Sequence, residues 1–389
     1  MDQCLQRLPE IGNISRSIME TIITNIILIG QTPAPTFKEM ARCRVFMDRL
    51  SGFQVDECTT DGYRNPIGII HGKSPKIAPI FVVAHIDTAF GQDVDHNFTI
   101  EQDTISGAGV MDNAVGLGVM ASLPEILRRL NLTFNSDIVL VGTIQSLGQG
   151  NLRGIRHLLE TWHSPIRAAV CIEGGELGRL NYYSDAMIRS EIQCRISKNG
   201  KRTRQYTPNA IIVINEVINQ ILKLYLPQRP RTEIVLGTIS GGLKHGCNAY
   251  EANLGFEIRS DSDEMVYKLY TDIKDIVEGI AHEFDIELNL KNISNVGASR
   301  LKYNHPLVKN ARQIIHALNI EPASEPTESE LSIFLSRNIP ALTVGITYGE
   351  SYQDKRSIAH IDPIFKGIAQ IIGILMAIDS GVCDEKQLD

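Results

Sequence analysis

The chain predicts an α/β protein: a mostly parallel sheet flanked by helices, with a smaller α+β domain inserted into it. Three observations carry this. Short apolar runs that read as buried strands, at 78–84 and 137–143, alternate with segments of helical apolar spacing. The pattern switches near residue 180 to apolar–polar alternation, and helix–strand alternation resumes after 300. A chain of 389 residues is long enough for more than one hydrophobic core.

In chain order, 15–30 and 36–51 have helical apolar spacing, separated by the turn-rich Thr32-Pro33-Ala34-Pro35. Strands at 66–71 and 78–84 precede a helix at 113–130, a strand at 137–143, a helix at 152–162 and a strand at 168–172. In the insertion, a strand at 186–197 and a long amphipathic helix at 208–226 lead to strands at 232–239 and 250–258, a helix at 263–283 and a strand at 284–292. That order fits a small α+β sandwich with one helical face. A helix at 306–318, a strand at 341–345 and a helix at 364–378 close the chain. The expected domains are therefore 1–179 with 297–389, and 180–296 between them.

A net charge of −7 argues against nucleic-acid and anionic-membrane partners, which need concentrated basic surface. No apolar run stands out as reaching the roughly 18–20 residues of a membrane span. Seven cysteines without a Cys-x-x-Cys spacing point to reduced thiols, and no secretory leader is evident, so a cytoplasmic protein is expected.

The chemistry-bearing residues lie near the carboxyl ends of expected strands, where open α/β sheets place ligands. His85 and Asp87 end Val82-Val83-Ala84-His85-Ile86-Asp87-Thr88. Gly107-Ala108-Gly109-Val110-Met111-Asp112-Asn113 puts an aspartate at the head of an apolar segment, and Cys171-Ile172-Glu173-Gly174 ends another strand. Taken singly, each reads as a packed histidine, a turn or a cap; the ordered combination is what points to a metal.

Together with Gly237-Thr238-Ile239-Ser240-Gly241-Gly242, Asn248, Arg259 and Ile339-Pro340-Ala341, these motifs resemble the zinc-dependent aminoacylase, acetylornithine deacetylase and peptidase T superfamily. The resemblance covers nearly the whole chain. It implies a zinc-exopeptidase-like domain with an inserted ferredoxin-like dimerisation domain, hence a homodimer. It further implies one zinc held by His85, Glu173 and a bridging Asp112, with Asp87 orienting the site from behind, and Asn248 and Arg259 near the substrate's carboxylate.

The chain departs from the family in the second half of that machinery. The position of the general-base glutamate is Ser146, and that of the next metal ligand is Leu147, which has no donor atom. The late histidine ligand aligns with Gln353, a poor zinc ligand. His360 is a candidate replacement, and Lys355 or Arg356 a candidate cation for the empty position, though both read equally as solvated loop charges. His245 and the basic run from Lys198 to Arg204 read as rim and hairpin-tip residues.

The expected cofactor is zinc, one ion rather than two. The expected function is a metallopeptidase-like homodimer that has lost two-zinc amide hydrolysis and keeps a cleft for a small amino-acid-like or peptide ligand, or altered chemistry. Two alternatives stay open: a one-zinc amidohydrolase whose water is activated by zinc or by Asp87, and a non-catalytic structural dimer.

Overall fold

The structure, a computed structural model, describes residues 1–196, 209–327, 329–351 and 354–385. It divides into two compact units, Met1–Tyr183 with Arg300–Asp389, and Ser184–Ser299.

The first unit is built on a seven-stranded sheet. Its strands are β1 (Glu57–Thr60), β2 (Pro66–Ile70), β3 (Ile80–His85), β4 (Ile138–Thr143), β5 (Ala168–Glu173), β6 (Leu180–Asn181) and β7 (Ala341–Gly345). Their spatial order is β1-β2-β4-β3-β5-β7-β6. The inner strands β4, β3, β5 and β7 run parallel and the flanking ones antiparallel. Burial on both faces explains why β3 and β4 read as continuous apolar runs. Ile80, Val82 and Ala84 of β3 belong to one core with the helices Val115–Arg129 and Ile364–Asp379. Phe81 and Val83 point the other way, into a second core with Arg153–Thr161 and Glu330–Ser336. The parallel register sets His85 beside Thr143 and Glu173 beside Gly345, so the carboxyl ends of four strands share one edge.

The second unit is a four-stranded antiparallel sheet of Ala186–Arg195, Thr232–Gly241, Glu251–Ser260 and Glu287–Val296, with the helices Ala210–Ile221 and Asp263–Phe284. Ala252, Leu254, Phe256 and Ile258 alternate into its core and share it with Val266, Leu269, Ile273 and Val277, spaced at three and four residues along the second helix. The Asn209 and Ser262 side chains accept the N–H groups of Ile211 and Met265, which fixes where each helix begins.

Several expectations need correction. The helix expected at 15–30 runs from Met19 to Gly30, and a further helix, Asp2–Ser17, precedes it. The stretch Val110–Arg129 is, by length and composition, apolar enough to cross a membrane, contrary to the reading of the sequence; 94% of it is buried within the fold, as a core helix is. The short helix Glu330–Ser336 and the strands Thr99–Glu101, Thr104–Gly107 and Ser357–His360 were not anticipated, being too short for a periodicity to show.

Candidate metal centre

His85 is the last residue of β3 and Glu173 the last of β5, which delivers both side chains to the same edge of the sheet. Asp112 joins them from the turn ahead of Val115–Arg129. Gly109 opens that turn at φ +73, and a Cβ there would also meet Thr88 Oγ1 at 2.8 Å. Asn113 Nδ2 donates to the carbonyl of Ile172 at 2.7 Å and ties the turn to β5.

His85 Nε2 lies 2.9 Å from Asp112 Oδ1 and 3.8 Å from Glu173 Oε2. Donors around one tetrahedral zinc, at about 2 Å from the ion, stand about 3.3 Å apart, so these separations bracket what a shared ion requires. Among the described residues, His85, Asp112 and Glu173 form a group whose ligand atoms all lie within 4.8 Å of one another. His85 Nδ1 donates to the carbonyl of Asp87 at 2.9 Å, which turns the Nε2 lone pair toward the two carboxylates. Two carboxylates and an imidazole therefore fit a single divalent ion.

The electrostatics suit a cation beside the two carboxylates. Burial disfavours charge on His85, but hydrogen bonds to Asp112 and Asp87 and the field of Glu173 leave its pKa raised well above the ordinary value. Burial, reinforced by Asp112 and Glu330, pushes the Glu173 carboxyl up to about 7 despite His85 and Arg179. A bound cation would take the place of these protons.

The opposite wall is organised differently. Four successive N–H groups after β4 go to side chains: Ile144 to Asn65 Oδ1 at 3.0 Å, Gln145 to Glu39 Oε1 at 3.0 Å, Ser146 to Asp87 Oδ1 at 3.2 Å and Leu147 to Asp87 Oδ2 at 2.9 Å. Thr36 Oγ1 adds a further donor to Asp87 Oδ2 at 2.9 Å. Burial raises the pKa of Asp87, but His85, Leu147 and Thr36 outweigh it and the net shift is downward. Asp87 is 0% exposed and does not line the cavity. It positions His85 through its carbonyl and the 146–147 loop through its carboxylate. The expectation that it activates water is corrected accordingly, because both its oxygens accept from protein donors and it is buried.

Ser146 and Leu147 border a cavity of about 790 Å³ together with His85, Asp112, Glu173 and Glu330. Leu147 places a hydrocarbon where a ligand was expected. Ser146 Oγ donates to Glu330 Oε1 at 2.5 Å, and Thr143 Oγ1 donates to the same oxygen at 2.7 Å. The sequence reading missed Glu330. The signal available was a carboxylate heading the short apolar run Leu331-Ser332-Ile333-Phe334-Leu335.

Of the remaining candidates, His360, Lys355 and Arg356 belong to the described part of the first unit. Gln353 lies outside the described residues, as does the run Lys198 to Arg204. His360 ends the strand Ser357–His360 beside Thr104 and does not border the cavity. Lys355 and Arg356 are exposed and likewise absent from its lining, as solvated loop charges are. Asn248 and Arg259 belong to the second unit. Asn248 is exposed, and Arg259 pairs with Glu257 at 2.5 Å and Glu233 at 3.5 Å. His245 is an exposed loop residue of the same unit.

No protein-family model matches the chain, and no curated protein matches it in sequence. Solved structures do match. The dipeptidase Dug1p of Saccharomyces cerevisiae superposes with a TM-score of 0.78 at 11% identity, over 96% of this chain and 98% of its own. The aminopeptidase PepT of Bacillus cereus gives 0.69 at 16% identity, over 92% and 98%. The Bacillus subtilis protein YxeP, a dinuclear metal-binding peptidase of the M20 family, gives 0.62 at 13% identity, over 92% and 99%. The chain therefore has the fold of the M20 metallopeptidases, in agreement with the resemblance read from its motifs.

Proposed function

We propose that this chain is a single-metal derivative of the M20 fold. One divalent ion, zinc by its donor set, is held by His85, Asp112 and Glu173, in a cavity that takes a small amino-acid-like or short peptide ligand. The observation that carries the reading is Leu147. It stands at the second-ligand position with its N–H bonded to Asp87, so the loop is fixed with a hydrocarbon where a second ion would need a donor. When bound, the ion supplies Lewis acidity to a ligand carbonyl or carboxylate. The chain's own residues do the rest: Asp87 holds His85 in its tautomer, Asn113 fixes the Asp112 turn, and Leu147 and Met111 give the cavity apolar wall.

Two-metal amide hydrolysis is lost on this reading. The test is calorimetric titration of the zinc-loaded chain with dipeptides and N-acyl amino acids, repeated on Asp112→Ala. Binding to the parent and not to the variant supports the proposal; equal binding, or none to either, contradicts it.

The second unit supports a homodimer. Its edge strand Thr232–Gly241 carries exposed Ile239, and the neighbouring helix exposes Ile211 and Ile212, an apolar edge that an isolated chain leaves open to further strand pairing. Light scattering giving a monomer at micromolar concentration would contradict this part. Cytoplasmic residence is proposed with it, from the free thiols at all seven cysteines.

A further inference from the structure

We propose that Ser146 and Glu330 form a nucleophile–base pair, giving the cavity an acyl-transfer chemistry that does not use the metal. Glu330 is 3% exposed and Ser146 is 6% exposed, yet both border the cavity, so the pair is dry but reachable from one side. Ser146 Oγ donates to Glu330 Oε1 at 2.5 Å, within the range of hydroxyl–carboxylate bonds. Thr143 Oγ1 donates to the same oxygen at 2.7 Å, which fixes the carboxylate so that its acceptor lobe faces Ser146. The Ser146 backbone is itself held, its N–H on Asp87 and its carbonyl accepting from Leu152 N at 3.3 Å. A hydroxyl held against a fixed, desolvated carboxylate has the two elements of an activated nucleophile.

The step balances within the pair. Ser146 Oγ bonds to the carbonyl carbon of a small ester or amide while its proton passes to Glu330 Oε1. The bond from that carbon to the leaving oxygen or nitrogen breaks, and Glu330 returns the proton to the leaving group. Water then cleaves the Ser146 ester, with Glu330 taking and returning a proton again. Asp112, Glu173, Glu176 and Asp354 add carboxylates to the walls, and the Arg179 guanidinium among them is ion-paired with Glu176. Without the ion, these walls favour acyl compounds that are neutral or carry an amino group over anionic ones.

The proposal uses the cavity described above but not its ion, so its failure and that of the single-metal reading are separable. The test is reaction of the full chain, as purified, with a small alkyl fluorophosphonate, read by intact mass and peptide mapping, with zinc content measured in parallel. The phosphorus–oxygen bond to Ser146 forms as fluoride leaves and the proton goes to Glu330. Expected are one adduct per chain on Ser146, none on Ser146→Ala, and labelling slowed by about 10²-fold or more in Glu330→Gln, whose amide can accept the hydrogen bond but not the proton. Zinc content should be the same in all three. Should Glu330→Gln not fold by its melting transition, Glu330→Asp replaces it with the same expectation, since it keeps the charge but shortens the reach. No adduct, an adduct elsewhere, or parent-like labelling in the Glu330 variant overturns the proposal.

Discussion

The two walls of the cavity have been treated differently. On one, His85, Asp112 and Glu173 converge with a tautomer-setting carbonyl behind the histidine, a constellation that fits an ion. On the other, the loop at 144–147 is held as tightly, by four side-chain acceptors, but presents a hydroxyl and a hydrocarbon to the cavity. The difference teaches that scaffold and ligand set are separable. Asp87 serves both walls, and it holds the loop while Ser146 and Leu147 face the cavity.

The sharpest way to break the comparison is His85→Ala or Asp112→Ala. Each should take zinc from about one per chain to none, because two remaining donors do not make a zinc site. On the opposite wall, Leu147→Glu alone should leave zinc at about one, since a second ion needs several donors; a rise to two in elemental analysis would show that the wall retains an unrecognised ligand.

A smaller effect is expected from pH. Glu173 rises from 4.5 to about 7 in the fold, so the metal-free fold holds a proton that the unfolded chain releases, and this contribution to stability is lost as pH climbs through that window. His85, also raised, acts in the same direction, its contribution present below 6.5 and lost above its folded pKa. Zinc must displace both protons, so its affinity and its thermal shift should grow as pH rises from about 6 to about 8. A zinc-induced shift that shrinks over that range would contradict the assignment.

The smallest effects belong to the second wall. Ser146→Ala leaves Glu330 with Thr143 as donor and should cost about 1 kcal/mol in chemical denaturation, with zinc content unchanged. Thr36→Val removes one of the donors to Asp87 and should cost a similar amount, about 1 kcal/mol. Loss of zinc in either variant would mean that the walls are coupled more strongly than their hydrogen bonds indicate.

Much of this was legible in the sequence. The buried strands announced themselves because a strand covered on both faces is apolar along its length, and β3, β4 and β5 are so up to their last residue. His85 and Glu173 end such strands and Asp112 heads an apolar segment, and the resemblance of these motifs to the superfamily is what marked the three as metal ligands. Ser146 and Leu147 were visible as departures from the motif that the resemblance implies. Glu330 was not, because its helix is seven residues long and the serine it bonds lies 184 positions earlier, a pairing that only the parallel sheet creates. Asp87 was placed behind the site, but its hold on the 146–147 loop depends on backbone N–H directions that no residue type reveals.

The most direct test is zinc per chain, by elemental analysis of protein purified without chelator or affinity metal and then supplied with excess zinc and desalted. The account predicts about one, falling to none in Asp112→Ala. Two per chain would mean that the Leu147 wall still binds an ion, and none would mean that the three donors no longer act as a site; either result contradicts a single-metal centre.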